Sequence, residues 1–278
     1  MRLVWQFLAV MAVALIGSQG VNALDGKPWP TLVLGLLTAV AAVFVYGWVV
    51  RRTERRPVTE VGRPGAVAAT VRGALIGVTL FAAVIANLAL LDHYDVRGMG
   101  SVTGAVGLVG FMAAAAVTEE LLFRGVLFRI VEERAGTWFA LPLTAVLFGL
   151  SHLANPDASL WGAIAIAVEA GGMLAAAYAA TRTLWVPIGL HFGWNFAAAG
   201  VFSTEVSGNG ATHGLLDAST SGPALLTGGA FGPEASVYSV LFCVLATVVF
   251  LSLARRRGRL VPGRRRAARV PAASTLSQ

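Results

Sequence analysis

Eight long apolar runs leave this chain little freedom in what it can fold into. A helix needs about 20 mostly apolar residues to cross the hydrocarbon of a bilayer. The runs that qualify are Val4–Ala23, Thr31–Val50, Gly73–Leu91, Gly104–Phe123, Trp138–Ala154, Leu160–Ala180, Leu184–Phe202 and Ala235–Ala254. Inside lipid each backbone N–H and C=O must be paired within its own segment, so helices are the expected form. Transmembrane strands would alternate polar and apolar residues, and these runs do not. The predicted fold is all-α: a polytopic membrane protein, a bundle of about eight transmembrane helices. Only 13% of the 278 residues are charged, against about 25% in a soluble domain, so a soluble enzyme is a poor reading. Residues 1–254 read as a single membrane domain with a motif-bearing core at 104–202. Residues 255–278 read as a basic, disordered tail drawn to anionic headgroups.

The net charge is +7. Such a balance can signal nucleic acid, but there is no basic folded module to carry that reading. The arginines cluster instead beside the apolar runs. Nineteen of the 21 basic residues fall on one side of the alternating connections, and only Lys27 and Arg97 fall on the other. By the positive-inside rule both termini are expected in the cytoplasm, with the chain in the cell membrane. A cleaved signal peptide ending near Ala23 is the alternative for the first run; that run is longer than a usual signal core. The segment Ser203–Glu234, rich in Gly, Ser, Thr and Ala and free of Lys and Arg, is expected to be a flexible outside loop. The single cysteine, Cys243, excludes an intrachain disulfide and a cysteine metal cage.

Ionisable groups inside a span cost about 2.5–3.5 kcal/mol each on insertion scales, so the exceptions are informative. They fall in spans four to seven. Glu120 and Arg124 stand four apart and share a helix face, so they are expected to pair. Glu119, about 100° round the helix, is left with a different task. A carboxylate in an apolar site beside a second one suits a general base. The plain alternative is that these charges mark a helix end. Span five ends in Phe148-Gly149-Leu150-Ser151-His152. In span seven His191 and Asn195 share a face at i and i+4. Gly189 and Gly193 share another spacing of four, which lets a neighbouring helix approach closely. Glu169 in span six either hydrogen-bonds across the bundle or lines a cavity.

Several hydrolytic arrangements are absent. No histidine begins a His-Glu-x-x-His zinc motif, and the spans hold no aspartate for an aspartyl dyad. A Ser151–His191 dyad would leave the glutamates idle. A carboxylate that activates water, with His and Asn donors for the oxyanion, employs the whole set.

Glu-Glu-x-x-x-Arg, Phe-x-x-x-His and His-x-x-x-Asn, in this order on successive apolar helices, resemble the CPBP family (CAAX-protease and bacteriocin-processing, or Abi) of intramembrane endopeptidases. The likeness covers about a third of the chain. The resemblance implies that Glu119 activates the water with help from His152, and that His191 and Asn195 stabilise the oxyanion. Glu120 and Arg124 would orient the site, Glu120 sharing the base role, with Phe148 a packing position. It further implies a membrane-associated peptide or protein as substrate. Two histidines and a glutamate are chemically able to bind zinc, but their spacing is not that of a zinc motif, so no metal is expected. Two rival readings remain: a non-proteolytic immunity or scaffold protein of the same fold, and a proton-coupled transporter. One tension also stands. On the run boundaries above, Glu119 lies near one end of its span and His152 near the opposite level, unless span four continues past Phe123.

Overall fold

The computed structural model describes residues 1–24, 26–210 and 212–263. Eight helical rods build it: α1 (Arg2–Asn22), α2 (Pro28–Glu54), α3 (Ala66–Leu90), α4 (Val102–Ala135), α5 (Thr137–Ala154), α6 (Leu160–Thr181), α7 (185–201) and α8 (Val237–Arg256). Seven are long and apolar enough to cross a membrane. The exception is α7, with 11 α-helical residues and 6 more in a wider turn. It is the most enclosed of the motif-bearing rods, its residues from Pro187 to Leu190 all buried. The fold is an all-α polytopic membrane protein. Its small sheet pairs β1 (Tyr94–Met99) antiparallel with β2 (Leu216–Thr220).

Local chemistry sets several of the helix starts. Ser101, Ser159 and Ser236 each cap a helix by accepting a backbone N–H three residues on, at 2.9, 2.9 and 3.1 Å. Within three rods the helix widens to π geometry: 121–128 in α4, 167–172 in α6 and 196–201 in α7. Such turns are rare and gather at functional sites.

Span four is longer than its apolar run suggests. It continues without a break to Ala135 and reaches 34 residues, not the stretch Gly104–Phe123. The charged residues that seemed to end it are paired instead. Arg129 is buried and donates to Glu54 at 2.9 Å and to the Gln6 side-chain amide oxygen Oε1 at 2.9 Å. Tyr46 donates to Glu60 at 2.7 Å, and Glu132 pairs with Arg182. The extension resolves the problem of depth. Only Gly136 separates α4 from α5, so both can be measured from one level. At 1.5 Å per residue Glu119 lies about 24 Å above it and His152 about 22 Å.

The α3–α7 contact depends on glycines from both rods. A side chain at Gly73 would strike the Val186 carbonyl, and one at Gly77 the Leu190 carbonyl. On α7, Gly189 faces the Thr70 backbone and Gly193 the Ala74 backbone. The two rods thus interlock through reciprocal small-residue pairs. Gly193→Ala should lower stability by about 1–3 kcal/mol, since a Cβ there would sit 2.7 Å from the Ala74 Cα. The control is Gly47→Ala in α2, where a Cβ meets nothing within 4 Å. Thermal unfolding in detergent should separate the two variants; equal midpoints would contradict this account of the packing.

Two expectations for the connections need correction. Ser203–Glu234 is not a loose outside loop. It contributes β2 and buries Val206, Phe231 and Glu234. The tail is not disordered from Arg255. The last helix runs to Arg256, and the chain then docks through Val261, whose N–H donates to Thr137 at 2.8 Å. Arg259 donates to the Ala180 carbonyl at 2.5 Å. The expectation for residues 264–278 lies outside the described residues.

Candidate active site

Four rods bring the motif residues together. Glu119 and Glu120 come from α4, Phe148 and His152 from α5, Glu169 from α6, and His191 and Asn195 from α7. Arg124 is buried and donates to Glu120 at 2.7 Å, the i,i+4 pair the spacing predicts. Its second arm donates to the Ala170 carbonyl at 2.7 Å and the Gly171 carbonyl at 3.2 Å. Both acceptors lie in the widened turn of α6 that carries Glu169. One guanidinium therefore ties two site-bearing helices together. It also sits 4.5 Å above the Phe148 ring, a cation–π contact.

His191 is the centre of the set. Its Nδ1 lies 3.0 Å from Glu120 Oε1, the oxygen that Arg124 also holds. Its Nε2 faces Glu119 Oε2 at 3.9 Å. An Nδ1–H donated to Glu120 fixes the ring and leaves Nε2 for reacting groups. The two adjacent glutamates occupy different surroundings. Glu120 is wholly buried, whereas the Glu119 side chain is 32% exposed and can be reached from outside the bundle.

Phe148 packs at the junction. Its ring centroid is 4.8 Å from His152, 6.1 Å from His191 and 4.9 Å from Phe123. His152 opens the short 3-10 turn ending α5, and its Nδ1 lies 2.8 Å from the Phe148 carbonyl. Among the described residues no hydrogen bond or ion pair joins it to Glu119. His152, Glu169, His191 and Asn195 line one small cavity instead, and Glu119 stands outside it. The cavity has room for about one water molecule. Ser151 donates to the Phe148 carbonyl at 2.6 Å and stands beside His152, which does not suit a dyad with His191.

Sequence reasoning missed a cavity residue, Glu234. It lies 2% exposed just before α8. One oxygen accepts from Trp194 Nε1 at 2.9 Å; the other accepts from the Ser207 N–H at 2.5 Å and its hydroxyl at 2.8 Å. Burial pushes the Glu234 carboxyl above the usual range, against the pull of the Ser207 and Trp194 hydrogen bonds and of nearby His152. One sequence signal could have marked it: an acid in a segment with no Lys or Arg to pair with. Among the described residues, no three His, Cys, Asp or Glu side chains converge as metal ligands would.

Fold and site together define a helical membrane protein whose Glu, His and Asn side chains meet inside the bundle. Residues 101–197 match the family model described as type II CAAX prenyl endopeptidase Rce1-like. A relative in Bacillus subtilis (strain 168), named "Putative membrane peptidase YdiL", is 26% identical over 212 residues, covering 69% of this chain and 82% of the relative. No solved structure matches. Both matches support the resemblance to the CPBP family of membrane endopeptidases that the motifs carry.

Proposed function

We propose that this protein is an intramembrane endopeptidase that hydrolyses a peptide bond of a membrane-associated substrate. The observation that carries the reading is the placement of His191, held by Glu120 at 3.0 Å with its other nitrogen toward Glu119. Glu119 takes a proton from water as the water oxygen bonds to the carbonyl carbon. The carbonyl electrons move onto oxygen; His191 in its doubly protonated form, with Nδ1–H on Glu120, holds that charge through Nε2–H together with the Asn195 amide. The C–N bond then breaks; the nitrogen leaves with the electron pair and takes the proton back from Glu119. His152 steadies the water from the cavity side. Glu120, Arg124 and Phe148 fix the geometry. The arginine-rich end of the bundle faces the cytoplasm, with both termini there and the chain in the cell membrane.

Substrate trapping tests the reading. Glu119→Gln should retain uncleaved membrane peptides that mass spectrometry identifies, and wild type should cleave those peptides in proteoliposomes. Intact peptides after incubation with wild type would refute it. Turnover is expected to persist in EDTA, since the site side chains do not converge as a metal cage. Loss on chelation, restored by zinc, would reverse that expectation.

A further inference from the structure

The mechanism above leaves one buried acid without a task. Glu169 is 1% exposed, and neither of its carboxyl oxygens has a hydrogen-bond partner among the described residues. Buried polar atoms are nearly always paired, so two orphaned acceptors on one side chain need an explanation. Glu169 lines the cavity that His152, His191 and Asn195 also line. Glu234 closes the same cavity, its oxygens already engaged by Trp194 and Ser207. Arg124 does not serve Glu169; its arms are committed to Glu120 and to the Ala170 and Gly171 carbonyls. The cavity thus offers unused acceptors, a second carboxylate, and space for something small.

We propose that Glu169, with Glu234 behind it, forms a binding subsite for a primary ammonium group. An ammonium carries three N–H donors and no acceptor, the complement of an unpartnered carboxyl. Its donors answer the two free oxygens of Glu169, and its size suits a cavity too small for a guanidinium. Metal is a poor occupant, because among the described residues no three ligands of the usual kinds converge as a metal site. Under the peptidase reading, on which the identity of the ligand rests, the group is the amine released when the C–N bond breaks, which becomes an ammonium by taking the proton of the newly formed carboxylic acid. That nitrogen is one bond from the carbonyl carbon held by His191 and Asn195, and these two residues share the cavity with Glu169. The subsite therefore holds the new N-terminus of the product.

The test uses purified full-length protein in lipid nanodiscs at neutral pH, with leucinamide as the amine probe and N-acetyl-leucinamide as its uncharged counterpart. Binding is read by calorimetry. Wild type should prefer leucinamide by about tenfold or more, the scale of a hydrogen bond to a charged group. Glu169→Leu should erase that preference while melting no lower than wild type, because it removes an unpartnered buried carboxyl. Equal binding of the two probes, no binding of leucinamide, or undiminished preference in Glu169→Leu would overturn the proposal. The comparison of probes on wild type needs no variant, so a misfolded substitution does not shield it. An empty substrate trap would instead count against the peptidase reading, which this binding measurement does not address.

Discussion

Alanine at His191 should lower peptide hydrolysis by about 100- to 1000-fold, the usual loss when one oxyanion donor is removed. The ring makes two contacts that no small side chain replaces: Nδ1 to Glu120 at 3.0 Å and Nε2 toward Glu119 at 3.9 Å. Asn195→Ala should cost a similar factor, since Asn195 lines the same cavity one turn further on. Glu119→Ala should reduce turnover at least as far, because it removes the proposed base. The decisive control is folding. Glu119 is 32% exposed, so its loss should leave the melting temperature near that of wild type. Full turnover in either the His191 or the Glu119 variant would sink the assignment. Solute flux with unchanged peptides would favour a transporter.

The largest structural effect is expected at Arg124. Its guanidinium is 2% exposed and serves Glu120, two carbonyls of α6 and the Phe148 ring at once. Arg124→Ala leaves Glu120 buried without its cation, a loss of about 3–5 kcal/mol for a broken buried pair. Arg124→Lys should recover little, because a point charge cannot reach both Glu120 and the α6 carbonyls as a planar fork does. Glu120→Gln with Arg124→Met should be less damaging than Arg124→Ala alone, since it leaves no orphaned charge. Denaturant titration in detergent would measure all three. A loss below about 1 kcal/mol for Arg124→Ala would show that the pair does not hold α4 to α6.

These features were not equally legible in the chain. The Glu120–Arg124 pair and the shared face of His191 and Asn195 follow from helical spacing alone, because both are local. The glycines at 189 and 193 foretold a close neighbour, but only the fold names α3 as that neighbour. Span four was cut short for a physical reason. Arg129 and Glu132 look like residues at a water boundary until their partners Glu54 and Arg182 arrive from far along the sequence. Glu234 was hidden for the same reason. Its partners Trp194 and Ser207 lie 40 and 27 residues away, and its own surroundings have loop composition. Periodicity reports neighbours within a turn or two; it is silent on partners brought in by the fold.

The widened turn at 121–128 separates two duties carried by one rod. Each residue of a regular helix advances the face by about 100°, so a single accommodated extra residue resets the angular phase of everything beyond it. Above the turn, α4 aims Glu119 and Glu120 at His191; below it, the rod aims Arg129 at Glu54 and Gln6. Regular α winding of the same residues would instead swing one half about its axis relative to the other. The chemistry and the ionic anchor could not then both stay in register.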